Sequence, residues 1–328
     1  MKLLVLGGTE FVGHALVAEG LARGWDVTTL SRGSKPVPEG AEALVGDRRE
    51  GGLDRLDHRE FDLVVDTWSW EPRVVRDSAR RLADRAERYV YVSTRSVHTH
   101  PTARLADESA PTVEANIDDE TFADYARTKR GGELGVLDAF GDRAVIARPG
   151  LILGPRENIG RLPWWLNRLA RGGDILAPGP VEGTFQYIDA RDLAAFCLDD
   201  VSPGAYNLVN APYTTTMGDL LQLGLEVTGS TGTLRWADPD ALLAAGVEPW
   251  MELPVWIPAG EDHETMHEAD MSKAMAAGLR IRPLRDTVAD TWNWLQSIGG
   301  VAPQRPDRPV VGLDPDRERE LITALIPI

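Results

Sequence analysis

The sequence predicts a doubly wound α/β fold, in which helices cover both faces of a parallel sheet, together with a smaller second domain. Three observations predict it. The first half alternates short apolar strands with helices, the first strand runs into a glycine-rich turn, and loops rich in Gly, Pro and Trp replace the alternation after Arg148. Ligands of such a sheet gather at the carboxyl ends of its strands.

The predicted elements follow one another without internal repeats. Strands are predicted at 3–6, 25–30, 43–45, 61–66, 89–93 and 143–148, and helices at 11–23, 72–85 and 119–140. Strands this apolar are typical of a parallel sheet that is covered on both faces. Further helices are predicted near 162–171, 189–199, 216–228, 237–245, 270–277 and 287–297, and a last helix of about ten residues follows the capping Asp314.

Composition narrows the classes of partner. The 328 residues include 51 acidic and 35 basic side chains, so the net charge is −16, and general binding to nucleic acid or anionic membranes is not expected. The first residues form a strand, and no apolar run approaches the length of a membrane span, so we expect a cytoplasmic protein. The single cysteine, Cys197, excludes an internal disulfide, and no metal is expected. Small molecules are the expected partners.

The turn after the first strand predicts a dinucleotide site. It reads Gly7-Gly8-Thr9-Glu10-Phe11-Val12-Gly13. Gly7 permits a tight turn, Gly13 permits close packing of helix on strand, and the free N–H groups at the helix start bind a pyrophosphate. The usual spacing has a further glycine where this chain has Glu10. A carboxylate there repels phosphate, so we expect its side chain to turn outward.

This site divides the chain into domains. We predict a dinucleotide-binding Rossmann domain over 1–153 plus 184–212 and a substrate-binding domain over 154–183 plus 213–298. A Pro-rich linker and the last helix, 299–328, complete the chain.

Two further motifs indicate acid–base chemistry. Tyr125 and Lys129 are four residues apart on a predicted helix, so the phenol and the ammonium share one face. A nearby lysine and a positively charged nicotinamide would favour the phenolate needed for proton transfer. Thr94 follows the fifth strand and would bond a substrate oxygen, although hydroxyls in turns often satisfy only the backbone.

Together these residues resemble an extended short-chain dehydrogenase/reductase of the NAD-dependent epimerase/dehydratase family, from Met1 to about Ser297. The stretches Arg148 to Pro155 and Phe185 to Ala194 strengthen the resemblance. It implies catalytic roles for Thr94, Tyr125 and Lys129, with Lys129 also bonding the nicotinamide ribose. It further places Pro149, Leu151 and Ile152 along the nicotinamide. The Gly-Gly-Thr-x-Phe-Val-Gly turn resembles an atypical subgroup that includes plant stem-loop RNA-binding proteins.

Three departures from the family pattern restrict the reaction. Arg95-Ser96 replaces the Asp-Glu that drives dehydration, so loss of water is not expected. Phe185 replaces the arginine that clamps a substrate diphosphate, and an uncharged ring cannot hold one. His98 replaces an expected tyrosine; it could be a second titratable group, and we interpret it as a surface or turn residue.

Cofactor choice depends on the end of the second strand, where an NAD site presents an acidic residue to the ribose. This chain has Ser31 and Arg32 there, which favours NADP(H) over NAD(H), because Arg32 could pair with a 2′-phosphate; the alternative is a solvated basic turn. Asp47 resembles the family's adenine-contacting aspartate. The remaining residues expected close to the cofactor follow the fourth strand: Asp66, Thr67 and Trp68.

Aromatic residues suggest an apolar or aromatic substrate. Trp164 and Trp165 follow the Gly154-Pro155 turn, where the family shapes its substrate pocket, and Phe185 and Ser96 complete the expected substrate contacts. Arg156, Arg161 and Arg168 could replace the missing clamp, although Arg168 is most simply a solvated residue.

The leading hypothesis is therefore an NAD(P)-dependent oxidoreductase. The alternatives are an epimerase that retains its cofactor and a non-catalytic dinucleotide-binding protein. In this family the helices equivalent to 72–85 and 119–140 form a dimer interface, and the spacing of Val74, Val75, Ala79 and Leu82 is compatible with a homodimer or with burial inside one subunit. We expect a homodimer.

Overall fold

The computed structural model describes residues 1–122 and 124–326 and divides into two compact units. The first unit comprises 1–150, 190–209 and 270–280, and the second comprises 151–189, 210–269 and 281–328. Ala123, inside the helix predicted over 119–140, and residues 327–328, at the end of the predicted last segment, lie outside the described residues.

The strands and helices of the described residues alternate through the first half of the chain. The strands are β1 (Lys2–Leu6), β2 (Asp26–Ser31), β3 (Glu42–Val45), β4 (Phe61–Asp66), β5 (Ala86–Val92), β6 (Ala144–Pro149), β7 (Leu151–Leu153), β8 (Asp174–Pro178), β9 (Tyr187–Asp189), β10 (Gly204–Leu208) and β11 (Thr233–Ala237). The helices are α1 (Phe11–Ala22), α2 (Pro72–Leu82), α3 (Tyr125–Phe140), α4 (Arg161–Ala170), α5 (Ala190–Leu198), α6 (Met217–Thr228), α7 (Pro239–Ala244), α8 (Glu261–His267), α9 (Ser272–Ala276), α10 (Leu284–Ser297) and α11 (Pro315–Leu325).

A seven-stranded parallel sheet forms the centre of the first unit. Its strand order is β10-β6-β5-β4-β1-β2-β3. The order reverses between β1 and β4, which is the switch point where sheets of this kind bind ligands at the carboxyl ends of their strands. The predicted doubly wound α/β fold is confirmed.

The two faces of the sheet are covered by different helices because successive side chains of a strand alternate. On one face, Gly20 of α1 lies so close to Leu3 of β1 and Val27 of β2 that an added Cβ would come within about 3 Å of both side chains. On the other face, Leu4 shares a core cluster with Val75 of α2 and others from α3. The near-continuous apolar strands of the sequence therefore reflect burial on both sides.

Several element boundaries differ from prediction. Helix α3 begins at Tyr125 rather than near 119, because Asp124 is extended and its side chain accepts a hydrogen bond from the Arg127 amide at 2.8 Å. Residues 119–122 contain no strong helix breaker, so the pattern alone overextends the helix. Strand β10 was not predicted, since its sequence of Gly204 to Leu208 contains both Gly and Asn.

The apolar residues of α2 that suggested a dimer are buried within the subunit. Val74, Val75, Ala79 and Leu82 are each at most 2% exposed. Their burial therefore removes the sequence argument for an interface between copies at these positions.

The second unit contains two small parallel pairs, β8 with β11 and β7 with β9, and a core built mainly from α4, α6 and α10. The pairing of β7 with β9 assigns 151–153 and 187–189 to this unit, whereas the sequence placed both in the first. The C-terminal helix also belongs here rather than to a separate segment, because Glu318 of α11 forms a buried ion pair with Arg168 of α4. Pairs of residues this far apart in the sequence cannot be predicted from local sequence patterns.

A buried charge cluster fixes the end of β4. The Asp66 side chain has no exposed surface, and Arg48 donates to its two oxygens at 2.8 Å each. The Tyr89 hydroxyl donates to one oxygen at 2.7 Å, and the Trp68 amide donates to the other at 2.9 Å. Burial by itself would lower the pKa of Arg48, but the charge of Asp66 raises that pKa above its ordinary value.

We predict that Arg48→Ala lowers the free energy of unfolding by about 3–5 kcal/mol, because it leaves the Asp66 carboxylate buried without its ion-pair partner. Urea unfolding measures the change. The matched control is Arg80→Ala, which removes an exposed pair with Asp138 and should cost less than about 1 kcal/mol. Equal losses in the two variants would contradict the role of the buried pair.

Candidate functional site

The glycine turn between β1 and α1 has the geometry of a phosphate-binding loop. Gly7 and Gly8 have φ values of +123° and +96°, which side chains rarely adopt. A Cβ on Gly13 would lie 2.6 Å from the Gly8 amide nitrogen, so the helix starts in contact with the turn. The His14 amide donates to the Glu10 carbonyl within the helix. The amides of residues 11–13 come before this bond and, as at any helix N-terminus, have no acceptor in the helix, so they can donate to a ligand. These residues fit a dinucleotide pyrophosphate.

Glu10, which stands where the usual spacing has a glycine between Gly7 and Gly13, forms an ion pair with Lys35. It occupies the N-cap of α1 in an extended conformation without a side-chain capping bond, and its carboxylate lies 2.6 Å from the Lys35 ammonium. Lys35 offsets the negative charge that would otherwise oppose a phosphate here. Thr9, Phe11 and Val12 of the same turn are half-buried.

The loop after β2 carries basic rather than acidic residues. Arg32 is exposed, the Ser31 hydroxyl accepts a hydrogen bond from the Gly33 amide, and no acidic residue lies between 31 and 35. After β3, the Asp47 side chain accepts a hydrogen bond from the Arg49 amide at 2.9 Å. The structure thus leaves Arg32 at the position where NAD sites present a carboxylate.

The loop after β4 contacts the glycine turn. The Thr67 hydroxyl donates to the Leu6 carbonyl at 3.0 Å, and a Cβ on Gly7 would lie 2.3 Å from that hydroxyl oxygen. The Asp66 side chain is fully engaged with its buried partners. It therefore stabilises this loop and does not offer a hydrogen bond to a ligand. The guanidinium groups of Arg48 and Arg49 both lie over the Trp68 ring, at 4.7 and 5.0 Å from its centroid.

Lys129 and Tyr125 stand on the first two turns of α3, four residues apart as predicted. The Lys129 side chain is 1% exposed, and its ammonium donates to the Trp68 carbonyl at 2.7 Å and to the Val92 carbonyl at 2.5 Å. It also lies 4.4 Å from the centroid of the Tyr91 ring. Lys129 therefore sits at the carboxyl ends of β4 and β5, on the ligand side of the sheet.

Thr94 follows β5 at the same edge and begins a short 3-10 turn, Arg95–Val97. Its hydroxyl accepts a hydrogen bond from the Ser96 amide and lies 3.2 Å from the Ser96 hydroxyl. Because Val92, only two residues earlier, accepts from Lys129, the structure brings these two predicted residues to one strand end.

A buried network next to these residues was not identified from the sequence. Glu133, one turn beyond Lys129, accepts hydrogen bonds from Ser93 at 2.6 Å and from two nitrogens of Arg148 at 2.9 and 2.8 Å. Arg130 donates as well, at 2.7 Å. Burial by itself would raise the pKa of Glu133, but the bonds from Arg148 hold it below its ordinary value. The one feature of the sequence that could have indicated this network is the glutamate four residues after Lys129, on the same face of the predicted helix.

Of the residues that depart from the family pattern, Arg95, His98 and Phe185 are buried, whereas Ser96, expected to contact substrate, is exposed. Arg95 is 6% exposed, and burial lowers its pKa to about 10. His98, interpreted as a surface or turn residue, is not on the surface, since it is 5% exposed, but it does end the turn Arg95–Val97. Its Nδ1 lies 3.2 Å from the Ala110 carbonyl oxygen. Burial, reinforced by the charges of Arg148 and Arg95, lowers the pKa of His98, so the neutral ring is favoured.

The aromatic residues predicted to contact substrate are mostly core residues of the second unit. Trp165 is fully buried and donates through Nε1 to the Pro254 carbonyl at 2.6 Å, and Phe185 is 1% exposed. Trp164 is half-buried and packs edge-on against Trp165. Of the stretch predicted along the nicotinamide, Pro149 ends β6, whereas Leu151 and Ile152 belong to β7 of the second unit.

For two of the three arginines that could replace the clamp, Arg168 and Arg161, the structure identifies the groups that they contact. Arg168 is buried, not solvated as expected, and is committed to Glu318 and to the Gly172 and Asp174 carbonyls. The Arg161 guanidinium lies 4.5 Å from the centroid of the Trp250 ring. Arg156 is exposed.

No helix within the described ranges is both long and apolar enough to cross a membrane. Among those same residues, no group of three or more His, Cys, Asp or Glu side chains is arranged to hold a metal ion.

Comparison with known proteins identifies a family model that matches the N-terminal part of the chain, a sequence relative of part of it, and solved structures of similar fold. The model of the NAD dependent epimerase/dehydratase family matches residues 3–207. The chloroplast stem-loop binding protein of 41 kDa b from Arabidopsis thaliana is 25% identical over 244 residues, which are 66% of this chain and 61% of that protein. The chain thus spans about three fifths of this relative's length.

Solved structures of similar fold cover nearly the whole chain. WbmG of Bordetella bronchiseptica, in complex with NAD and UDP, is 18% identical with a TM-score of 0.66, over 94% of this chain and 99% of that chain. UDP-glucose 4-epimerase of Thermus thermophilus, in complex with NAD, is 22% identical with a TM-score of 0.63, over 92% of this chain and 100% of that chain. At identities this low, these similarities establish a shared fold alone.

The close approach of Thr67 to Gly7 yields a prediction for cofactor binding. Gly7→Ala should weaken binding of a nicotinamide dinucleotide at least tenfold, about 1.4 kcal/mol, because the new methyl group meets Thr67 and strains the backbone. Calorimetric titration measures the affinity. Gly24→Ala is the control, since Gly24 also has a positive φ, +72°, but a Cβ added there would meet no atom within 4 Å. If both variants bind alike, the turn does not hold the dinucleotide.

Proposed function

Since the chain belongs to the NAD dependent epimerase/dehydratase family, we propose that it transfers hydride between a nicotinamide dinucleotide and a carbonyl or carbinol carbon of a small molecule. The single observation that supports this most directly is the position of Lys129. Its ammonium is bound to the carbonyls that follow or end β4 and β5, in the unit that also contains the glycine turn and Thr94. The glycine turn and Lys129 therefore lie at the carboxyl ends of neighbouring strands of one sheet, which supports this proposal.

The chemistry assigned to the protein is proton transfer and orientation. The cofactor supplies or accepts the hydride. Tyr125 gives a proton to the substrate oxygen in reduction or takes it in oxidation, and the positive charge of Lys129 on the same helix face stabilises the phenolate. Thr94 bonds the same oxygen while charge develops on it.

We predict that Tyr125→Phe reduces turnover by about 10²-fold or more while the protein still folds and binds the cofactor, because the phenol hydroxyl is needed for proton transfer. Turnover is followed by nicotinamide absorbance with a panel of aromatic and aliphatic carbonyl compounds. Tyr213→Phe, which removes an exposed hydroxyl bonded to Glu268 in the second unit, is the control and should be unaffected. Near-normal turnover in Tyr125→Phe would exclude the phenol as the acid or base.

The second candidate function is epimerisation through transient oxidation with a retained cofactor, which the UDP-glucose 4-epimerases among the similar folds favour. The two candidates differ in cofactor exchange. The absorbance spectrum of the denatured, purified protein separates them: released dinucleotide in stoichiometric amount favours the epimerase, and none favours the oxidoreductase.

A non-catalytic binding role is the third candidate, because the Arabidopsis relative is a stem-loop binding protein. Two observations oppose it for this chain. The residues assigned to catalysis, Thr94, Tyr125 and Lys129, are all present, and a net charge of −16 disfavours binding to nucleic acid.

NADP(H) is the preferred cofactor in this proposal. The exposed Arg32 can pair with a 2′-phosphate, and Lys35, although it pairs with Glu10, lies in the same loop.

NADP(H) should therefore bind at least tenfold tighter than NAD(H), and Arg32→Ala should remove most of this difference of about 1.4 kcal/mol. Calorimetry with both dinucleotides provides the measurement. Arg171→Ala, which removes an exposed arginine of the second unit, should leave the preference intact. Equal affinities in the unmodified protein would refute the assignment.

We further propose that the substrate contains no diphosphate and is apolar or aromatic. Phe185 stands at the family's clamp position, and Arg168, one potential replacement, is committed to Glu318. Titration with UDP-, GDP- and dTDP-sugars in the presence of NADP should show no micromolar binding. Micromolar binding of any of them would overturn this proposal and favour the epimerase.

A further inference from the structure

The fully buried side chain of Tyr91, the residue before the last in β5, acts on Lys129 in two ways. The Lys129 ammonium lies over its ring, with the nitrogen 4.4 Å from the ring centroid. The Tyr91 hydroxyl donates to the Trp68 carbonyl oxygen at 3.1 Å, and the same oxygen accepts from the ammonium at 2.7 Å. Tyr91 therefore contacts the charge of Lys129 directly and also holds one of the oxygens that this charge binds.

Helix α3 leaves space for this phenol next to Lys129. Gly132 follows Lys129 by three residues, so the two positions share one face of the helix. A Cβ on Gly132 would lie 2.5 Å from the Tyr91 hydroxyl oxygen and 2.7 Å from its Cζ. Glycine destabilises the interior of a helix, so the chain gives up helix stability for this close contact. The contact fixes the distance between the Tyr91 ring and the helix that carries the ammonium.

The surroundings of Tyr91 keep its hydroxyl protonated. Burial, reinforced by the negative charge of Asp66, raises the pKa of Tyr91 well above its ordinary value. Glu133 and Tyr125 act on this pKa in the same direction, and Arg48 acts in the opposite one. A neutral phenol can donate to a carbonyl, and it offers a cation the electron-rich face of its ring.

Burial of Lys129 makes these contacts important. Its side chain is 1% exposed, and removal of an ammonium from water disfavours the charged form. The contacts that offset this cost include the carbonyl oxygens of Trp68 and Val92 and the ring of Tyr91. An aromatic face stabilises a desolvated cation more than an exposed one. The Tyr91 ring is therefore one of the groups on which the charge of Lys129 depends.

We propose that Tyr91 is a positioning residue that acts through Lys129: its ring stabilises the ammonium, and its hydroxyl orients the ammonium through the Trp68 carbonyl. This inference rests on the proposed function, in which Lys129 supports Tyr125 and bonds the nicotinamide ribose. It extends that function to a residue of β5 that acts on neither cofactor nor substrate directly. The contacts of Tyr91 exist in the protein alone, so they can be tested without either ligand.

The first experiment follows the titration of Lys129 by NMR of the full-length protein labelled with ¹³C,¹⁵N-lysine. The chain contains four lysines, and the signal lost in Lys129→Arg identifies the one of interest. Tyr91→Met, which provides an apolar side chain without a ring, should lower the midpoint of this titration by about one pH unit. Tyr91→Phe keeps the ring and should change the midpoint by less than about 0.3 units.

The matched control is Phe140→Met. It removes a buried ring of the same core cluster, about 16 Å further along α3, and should leave the Lys129 titration unchanged. A Tyr91→Met midpoint that matches this control would overturn the proposal. A Tyr91→Phe midpoint as low as that of Tyr91→Met would also overturn it, because the ring would then have no effect of its own.

The second experiment tests the hydroxyl and decides the question if Tyr91→Met does not fold. Calorimetry compares the binding of NADP⁺ with that of 2′,5′-ADP, which lacks the nicotinamide riboside. Tyr91→Phe should weaken NADP⁺ binding about threefold and leave 2′,5′-ADP binding unchanged, and this effect should disappear when Lys129→Ala is also present. No weakening, equal weakening of both ligands, or the same weakening without Lys129 would refute the orienting role.

Failure of the proposed function gives a different result. If the unmodified protein does not bind NADP⁺, or if Lys129→Ala binds it normally, the role of Lys129 at the cofactor is contradicted. The NMR titration, which contains no cofactor, would still decide whether the Tyr91 ring stabilises the Lys129 ammonium.

Discussion

The buried carboxylate of Asp66 is the interaction on which the site in the first unit depends. Its two oxygens are held by Arg48, Tyr89 and the Trp68 amide, so the chain leaving β4 has one available course. That course places Thr67 against Gly7 and presents the Trp68 carbonyl to Lys129. One desolvated ion pair therefore positions both the phosphate turn and the lysine, and it is tolerated in the core because both Asp66 oxygens are hydrogen-bonded.

A second buried carboxylate performs the corresponding task at the end of β5 and β6. Glu133 accepts from Ser93, the residue before Thr94, and from Arg148, the residue before Pro149. Because Glu133 lies on α3 four residues after Lys129, the helix carrying Tyr125 is tied to both strand ends. Fully satisfied networks of this kind specify one geometry, since any other arrangement leaves a buried charge without partners.

In the second unit, too, a buried charge is paired with a distant counter-charge. Such pairing makes the sequence a poor guide to which arginines are solvated. Arg168 looked like a solvated residue or a spare cation, yet it is buried against Glu318, a residue 150 positions later. Trp165 and Phe185, which suggested an open aromatic pocket, form the core around it.

The sequence by itself determined the fold class, the position of the glycine turn and the spacing of Tyr125 and Lys129, because each depends on neighbouring residues: apolar periodicity, backbone freedom and helical repeat. Only the tertiary structure decided which charges are paired and which rings are buried. Arg48 with Asp66, Glu133 with Arg148, and Arg168 with Glu318 join residues between 15 and 150 positions apart. Chain folding, and no local pattern, brings such partners together, since desolvated charges persist only where distant segments supply their counter-charges.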